Sequence, residues 1–258
     1  LLIRLFPINR SITGNGVRET YSILREVIPL NCYEIRSGTV CFDWTIPKEW
    51  NIKEAWIKTV KGDKIIDFKD NNLYVLNYST AFKGRINYNE LKNHIYTLPS
   101  RPDSIPYRTS YYEEKWGFCM EHKRFKSLNK NDVFDVYINS ELDENGSLSY
   151  ADYLIKGKST KEYIISTYSC HPSLANDNLS GLVLTTLLGK LLTEMGTYHN
   201  YRFIIVPETI GAIAYLSQNT EIMKKAEGGY VISTVAGKGP FGYKKSFKGD
   251  SEIDLAAH

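Results

Sequence analysis

The chain has 258 residues, of which 42% are hydrophobic and 24% are charged, and its net charge at pH 7 is +3. These proportions are typical of a globular protein. The charge balance is even and the basic residues are scattered rather than gathered in a dense stripe, so nucleic acid is not an expected partner. Polar residues interrupt the longest apolar stretches well before the roughly 20 residues of a membrane span, so no membrane partner is expected.

The four cysteines give no sign of a disulfide framework or of a zinc finger, because no two of them stand in Cys-x-x-Cys spacing. Reduced thiols in the cytosol are the simplest interpretation. The first residues lack the pattern of a signal peptide. We therefore expect a cytoplasmic protein. The oligomeric state is left open, with a homo-oligomer as one option.

The first region, up to residue 36, predicts one helix. Asn15 is placed to cap it, apolar residues from Val17 to Ile28 follow helical spacing, and Pro29 ends it.

Residues 37–150 predict a β-rich domain. Short runs of β-branched and aromatic residues are separated by turn signals. These runs are Thr39–Ile46, Ala55–Val60, Leu73–Tyr78 and Val133–Ile138. A loop containing three prolines leads into an aromatic cluster, which comprises Tyr107, Tyr111, Tyr112, Trp116 and Phe118. The cluster fits either a small core under a long loop or a binding surface, since Tyr and Trp favour interfaces.

Residues 151–258 predict an α/β domain in which strands and helices alternate. In chain order these elements are Tyr163–Thr167, Asn178–Met195, Tyr201–Val206, Thr209–Gln218 and Gly229–Val235. The alternation implies parallel strands with right-handed crossovers.

Three polar side chains follow the first two of these strands. His171 and Asp177 come after the first strand, and Glu208 comes after the second. Loops at the carboxyl ends of parallel strands share one edge of the sheet. An imidazole and carboxylates are groups that zinc accepts, and a carboxylate near zinc can act as a general base. On spacing alone, a structural histidine and a helix-capping Asp177 are alternatives.

Cys170 stands beside His171 and raises the question of a cysteine nucleophile. Adjacent residues in a strand-like segment point to opposite faces, so we expect no direct pairing of the two side chains. A buried structural thiol is the preferred interpretation.

The segment Ala175–Gly181 resembles the Asp-x-x-Ser-Gly motif of the zinc exopeptidases, the aminopeptidase and glutamate carboxypeptidase family. The resemblance implies that His171 binds one zinc and that Asp177 bridges two. It also aligns Glu208–Gly211 with the Glu-Glu-x-Gly motif of that family, which gives Glu208 the role of general base.

Nearly the whole chain is similar to a bacterial group of aminopeptidase-like proteins, often encoded among polysaccharide-biosynthesis genes. The matching strings are Arg10–Gly14, Phe42–Trp44, Pro47–Trp50, Ile105–Tyr112, Trp116–Cys119 and Cys170–Asn178. The resemblance implies a zinc-exopeptidase-like three-layer α/β fold with a mostly parallel sheet, formed by residues 1–36 and 151–258. Residues 37–150 then form an inserted β-rich domain, and a winged-helix domain can follow.

The chain departs from the exopeptidase pattern at several positions. Thr209 replaces the second Glu, and Val231–Val235 offers no carboxylate where that family places another ligand. Asp250 and His258 are weaker candidates for replacing the missing ligands. We expect a truncated chain that is inactive alone, because the last histidine ligand of the family lies beyond it.

The function expected from the resemblance is a zinc-dependent hydrolase of peptide-like amide bonds, similar to an aminopeptidase. Its substrate would be a peptide or an aminoacyl small molecule. The alternative is a non-hydrolytic binding or scaffold protein that retains the fold and acts in polysaccharide or cell-envelope biosynthesis. The missing carboxylate at Thr209 favours this alternative, and the retained His171, Asp177 and Glu208 oppose it.

Overall fold

The computed structural model describes residues 1–257 and builds them around one five-stranded and one four-stranded β-sheet. The strands, in chain order, are β1 (Asn31–Arg36), β2 (Val40–Cys41), β3 (Trp44–Thr45), β4 (Glu49–Thr59), β5 (Lys64–Asp67), β6 (Phe82–Asn87), β7 (Ile95–Tyr96), β8 (Phe118–Cys119), β9 (Val133–Asp143), β10 (Ser147–Ile155), β11 (Glu162–Tyr168), β12 (Asn200–Val206) and β13 (Ala226–Val231). The helices are α1 (Leu2–Leu5), α2 (Asn15–Arg25), α3 (Tyr88–Leu91), α4 (His122–Ser127), α5 (Gly181–Met195), α6 (Ile210–Gln218), α7 (Thr220–Met223) and α8 (Glu252–Ala256). Among these residues, every helix is too short or too polar to cross a membrane.

The five-stranded sheet has the order β1-β10-β12-β11-β13. As predicted, the three strands that alternate with helices pair in parallel, β11 with both β12 and β13. The prediction of a mostly parallel sheet is wrong. β10 runs antiparallel to β12, and β1 runs antiparallel to β10. These two strands lie outside the strand–helix alternation, and they make the sheet mixed.

Different helices cover the two faces of this sheet. The sequence of β12 provides apolar side chains for both faces. Phe203 and Ile205 point to one face, where their clusters include residues of α2 and α5. Ile204 and Val206 point to the other face and pack with residues of α6. Alternate strand residues face opposite sides, so four consecutive apolar residues are buried against two helical layers.

The four-stranded sheet has the order β5-β4-β9-β6, with every pairing antiparallel. Its inner face forms a separate core in which Ile57, Phe134 and Val136 are buried. Part of the predicted aromatic cluster completes this core: Phe118 is fully buried, and the Trp116 ring stacks on Phe82 at 3.9 Å between centroids. For these two residues the small-core interpretation is confirmed.

Two local predictions in this region need correction. Thr39–Ile46 is not one strand but the small hairpin β2–β3. Leu73–Tyr78 does not form a strand and begins in a 3₁₀ turn, Asn72–Tyr74. The Asn71 side chain accepts a hydrogen bond from the backbone N–H of Leu73 at 2.8 Å and so starts a turn, which is a frequent role of asparagine.

The predicted helix of the first region is confirmed as α2, but Asn15 does not cap it. Asn15 is the first helical residue, after Gly14 at φ 98°. Its backbone N–H donates instead to Oδ1 of Asn51 on β4, at 2.8 Å. The cap of α2 therefore comes from the four-stranded sheet and joins the two parts of the molecule.

A charged network strengthens the same junction. Arg18 of α2 forms a two-pronged ion pair with Glu49 of β4, with N–O distances of 2.7 and 2.6 Å. Its Nε also donates to Glu34 of β1 at 3.1 Å. The Glu49 carboxylate accepts a further bond from the backbone N–H of Ser147 at 2.9 Å. Chiefly because of the Arg18 bond, the pKa of Glu49 is lowered to about 2, which is typical of bidentate pairs.

We predict that Glu49→Gln removes an acid-sensitive part of the stability. The folded-state pKa of Glu49 lies below its ordinary value of 4.5, so its contribution is present above that value and is lost as pH falls towards about 2. A shift of this size corresponds to about 3 kcal/mol of unfolding free energy. Urea unfolding at neutral pH and near pH 3 should show a smaller pH difference for the variant than for the unmodified protein.

The matched control for this measurement is Glu114→Gln, which removes an exposed carboxylate that pairs with Lys48. It should leave the pH difference almost unchanged, since exposed pairs contribute little. Equal pH differences for Glu49→Gln and the unmodified protein would contradict the assigned role of Glu49.

Candidate metal centre

The candidate centre lies where β11 and β12 end. The two strands pair in parallel, with Tyr168 opposite Val206. The pairing continues past the strand end, because the backbone N–H of Ser169 donates to the carbonyl of Val206 at 3.0 Å. The loops that follow must therefore leave the sheet side by side. This arrangement brings together two loops that are far apart in sequence, as the strand order predicts.

Among residues 1–257, Cys170, His171 and Glu208 form a group whose ligand atoms all lie within 4.8 Å of one another. Nε2 of His171 lies 3.7 Å from Oε2 of Glu208. Nδ1 of the same ring lies 3.3 Å from the Cys170 sulfur. That sulfur also accepts the backbone N–H of Glu208 at 3.2 Å. The thiol thus lies beside Nδ1 of the imidazole, and the carboxylate lies beside Nε2.

The contact between Cys170 and His171 contradicts the expectation that the two side chains do not pair. β11 ends at Tyr168, so both residues lie in a loop where strand alternation no longer applies. The interpretation of Cys170 as a buried thiol is supported, since it is 1% exposed and burial raises its pKa to about 12. The thiol is therefore protonated at neutral pH and is a poor nucleophile.

The surroundings of His171 favour a neutral imidazole. Burial lowers its pKa, and this effect outweighs the opposing influence of Asp177 and Glu208. In the tautomer with the proton on Nδ1, the ring donates to the Cys170 sulfur and directs the Nε2 lone pair towards Glu208. A neutral ring whose second nitrogen is held by a neighbour is the usual state of a histidine metal ligand.

Asp177 lies next to this group but outside it. Its Oδ1 accepts a hydrogen bond from the Tyr168 hydroxyl at 2.6 Å, and the Tyr168 ring lies 5.2 Å from the His171 ring. The alternative interpretation, a helix cap, is wrong. Helix α5 begins at Gly181 after Ser180, and no side chain caps it. Asp177 instead lies in an irregular turn with φ −111° and ψ 91°.

The neighbours of Asp177 in the motif explain this turn. Asn178 is buried, and its amide donates to Thr167 Oγ1 at 2.9 Å and to the carbonyl of Tyr168 at 3.0 Å. Gly181 cannot carry a side chain, since an added Cβ would lie 2.4 Å from Asn178 Oδ1. Asn178 thus anchors the turn to β11, and the Asp177 carboxylate is left on the side of the centre.

The other positions discussed as ligands do not join this group. Thr209, which stands in place of the second Glu, is exposed at φ 58° before α6. Asp250 is exposed in the segment before α8. His258 lies outside the described residues. The donor set that converges here has an imidazole, a carboxylate and a thiol, with the Asp177 carboxylate beside it, and these are groups that zinc accepts.

Sequence reasoning missed two residues that contact His171. Arg10 is 1% exposed, and its Nε donates to the backbone carbonyl of His171 at 3.0 Å. The ring of Tyr107, from the proline-containing loop, lies 5.0 Å from the imidazole. The binding-surface interpretation of the aromatic cluster was a signal for Tyr107. For Arg10, the only signal was its place in the string Arg10–Gly14, which carries the family resemblance but gives the residue no role.

The fold is that of an aminopeptidase-like class of protein. The structure of BSAP, a zinc aminopeptidase from Bacillus subtilis, superposes with a TM-score of 0.57 at 10% identity, covering 91% of this chain and 68% of that chain. A peptidase M28 precursor from Shewanella amazonensis superposes with a TM-score of 0.59 at 11% identity, covering 99% of this chain and 75% of that chain. At such low identity these similarities establish the fold alone.

The chain belongs to the family described as domain of unknown function DUF4910, which matches residues 1–258. A Clostridium acetobutylicum protein, named provisionally as a polysaccharide biosynthesis protein with an aminopeptidase-like domain, is 48% identical over 98% of this chain and 58% of its own length. A crystal structure of a provisionally assigned peptidase from the same organism has a TM-score of 0.96 at 48% identity, covering 98% of this chain and 60% of that chain. The chain thus spans less than two thirds of the length of these relatives.

We predict that His171→Ala lowers the affinity of the full-length protein for zinc by about 100-fold or more, because it removes the imidazole from the donor set. Calorimetric titration with zinc, together with metal analysis, measures the effect. His199→Ala is the matched control. His199 precedes the first residue of β12, at the end of the strand away from the centre, and its Nδ1 lies 2.7 Å from the Ser159 hydroxyl. Equal zinc affinity in His171→Ala and the unmodified protein would exclude His171 as a ligand.

We further predict that Cys170→Ala weakens zinc binding by about 10-fold, because the ring loses the partner that orients it. Cys41→Ala provides the control, since Cys41 is buried in the same core cluster and is not part of the converging group. The two variants should lose similar thermal stability but differ in zinc affinity. A Cys170→Ala variant that binds zinc as tightly as Cys41→Ala would show that the thiol has no such role.

Proposed function

We propose that the full-length protein is a zinc-dependent, aminopeptidase-like hydrolase of peptide-like amide bonds, with His171 and Asp177 as zinc ligands and Glu208 as general base. The observation that carries the proposal is the approach of His171 Nε2 to Glu208 Oε2, at 3.7 Å, where two parallel strands end. The burial that keeps the imidazole neutral leaves its lone pair available for a metal.

In this proposal, some residues of the chain hold the metal and another transfers a proton. Zinc, when bound, supplies a Lewis acid that polarises the scissile carbonyl and makes water more acidic. Glu208 has an exposed side chain and a carboxylate beside the imidazole, so it can accept a proton from the attacking water and return it to the leaving amine. Tyr168 holds Asp177 by a hydrogen bond of 2.6 Å, which fixes one carboxylate oxygen and leaves the other for zinc.

The substrate we propose is a peptide or an aminoacyl small molecule with a free amino group. The aminopeptidase-like fold of this chain supports this substrate class. We also propose that residues 37–150 form an inserted β-rich domain within the α/β domain of residues 1–36 and 151–258. A cytoplasmic location and a link with polysaccharide biosynthesis stay predictions.

The proposal is tested by Glu208→Gln in the zinc-loaded full-length protein. Removing the base should lower kcat for aminoacyl amides by about 100-fold or more, while zinc affinity stays within a few-fold of the unmodified value. Turnover of a panel of aminoacyl p-nitroanilides, with zinc content measured on the same samples, provides both readouts. Glu221→Gln, which changes an exposed carboxylate paired with Lys224, should behave like the unmodified protein. Unchanged turnover in Glu208→Gln would exclude Glu208 as the base.

A second candidate function is a binding protein that keeps this fold without hydrolysis. Thr209 favours it, because an exposed hydroxyl stands where the exopeptidase motif has a carboxylate. The same experiment separates the two functions. A protein that takes up no zinc under any loading condition and hydrolyses none of the panel would favour the binding function.

A further inference from the structure

The proline-containing loop brings two tyrosines to the candidate centre from another part of the chain. Tyr107 faces His171, with 5.0 Å between ring centroids. The hydroxyls of Tyr107 and Tyr111 lie 2.7 Å apart and form a hydrogen bond. Tyr111 also packs against the core cluster that contains Cys170. Tyr107 thus lies beside the imidazole, and Tyr111 joins it to the core under the five-stranded sheet.

The loop is held rigidly, and Asn77 is the residue that holds it. The backbone of Asn77 accepts a bond from Ser110 N–H and donates one to the carbonyl of Arg108, both at 2.9 Å. Its side chain accepts from the Ser11 hydroxyl at 2.6 Å and donates to the carbonyl of Arg10 at 3.0 Å. Arg10 in turn holds the carbonyl of His171. A continuous set of hydrogen bonds thus fixes the tyrosines relative to the imidazole, as preorganised sites require.

The other polar side chains around His171 are mainly acceptors. Asp177 and Glu208 carry carboxylates, and the Tyr168 hydroxyl already donates to Asp177. Arg10 carries donors, but its guanidinium is closed off from solvent. A substrate carbonyl that gains negative charge during hydrolysis needs a hydrogen-bond donor near it.

The tyrosine pair can supply that donor. Two hydroxyls that share one hydrogen bond use one proton between them, so one O–H stays available. Within residues 1–257, no second protein partner accepts that proton. Donation by one hydroxyl also polarises the other and makes its remaining O–H a stronger donor.

We propose that Tyr107 and Tyr111 bind the carbonyl oxygen of an aminoacyl substrate and donate a hydrogen bond to it that strengthens as negative charge develops. The β-rich region then contributes directly to catalysis. The predicted effect on kcat rests on the proposed hydrolase function. The binding of a carbonyl-like oxygen by the two tyrosines does not depend on turnover.

Two phenylalanine variants test the proposal, because each keeps the ring and removes only the hydroxyl. In the zinc-loaded full-length protein, the variant that lacks the donating hydroxyl should lose about 10- to 100-fold in kcat with little change in KM. The other should lose a few-fold, since its partner is less polarised. Tyr112→Phe is the matched control, because Tyr112 lies in the same loop and is 61% exposed. Unchanged kcat in both Tyr107→Phe and Tyr111→Phe overturns the proposal.

A binding measurement separates this proposal from the hydrolase function. L-Leucine phosphonic acid carries tetrahedral oxygens that imitate the charged carbonyl. Calorimetric titration should show about 10-fold weaker binding to at least one phenylalanine variant than to Tyr112→Phe. Such a difference in a protein without turnover would support the tyrosine site and reject the hydrolase. Equal affinities in all variants, or no binding to the unmodified protein, would reject the tyrosine site.

Discussion

The parallel pairing of β11 with β12 is the constraint on which the centre depends. It fixes Tyr168 opposite Val206, and the bond from Ser169 N–H to the Val206 carbonyl extends it by one residue. The two loops therefore start side by side, which restricts where their side chains can lie. The Glu208 N–H donates to the Cys170 sulfur, and the imidazole lies between that sulfur and the Glu208 carboxylate. A shift of one residue between these strands would move the Glu208 loop by about 3.3 Å along the sheet relative to the Cys170–His171 loop and would break these contacts.

A second feature is that distant parts of the chain build the centre together. Arg10 precedes α2, Asn77 and Tyr107 belong to the β-rich region, and His171 follows β11, yet hydrogen bonds and a ring contact join them. Arg18 adds a charged link between the same regions through Glu49. The two sheets are thus held in a fixed relation at the place where the reaction is proposed. We infer that the β-rich region and the five-stranded sheet stabilise each other.

The sequence was informative wherever a local pattern decides the structure. Alternation of apolar strands with amphipathic helices was enough to predict that β11, β12 and β13 pair in parallel, and hence that the His171 and Glu208 loops meet at one edge. The pairing of β10 could not be predicted in this way, because tertiary contacts decide that it runs antiparallel to β12 and β1. For the same reason Asn15 looked like a cap, whereas Asn51, a residue distant in sequence, provides it.

The centre itself was predictable only in part, for a similar physical reason. The motif around Asp177 and Glu208 drew attention to both carboxylates, and the structure brings Glu208 to His171. The contacts that orient the imidazole were not predictable. Cys170 reaches it because both residues lie in the loop after β11, where the alternation of strand side chains no longer applies. Arg10 and Tyr107 reach it through backbone and loop geometry that no spacing rule encodes.

The most direct test of the account is an anomalous-scattering map at the zinc edge, measured on crystals of the full-length protein grown with zinc. The account predicts a peak at bonding distance from Nε2 of His171, on the side of the ring that faces Glu208 and away from Cys170. A peak that avoids this nitrogen, or the absence of any peak beside His171 in zinc-saturated crystals, would contradict the assignment of a metal centre.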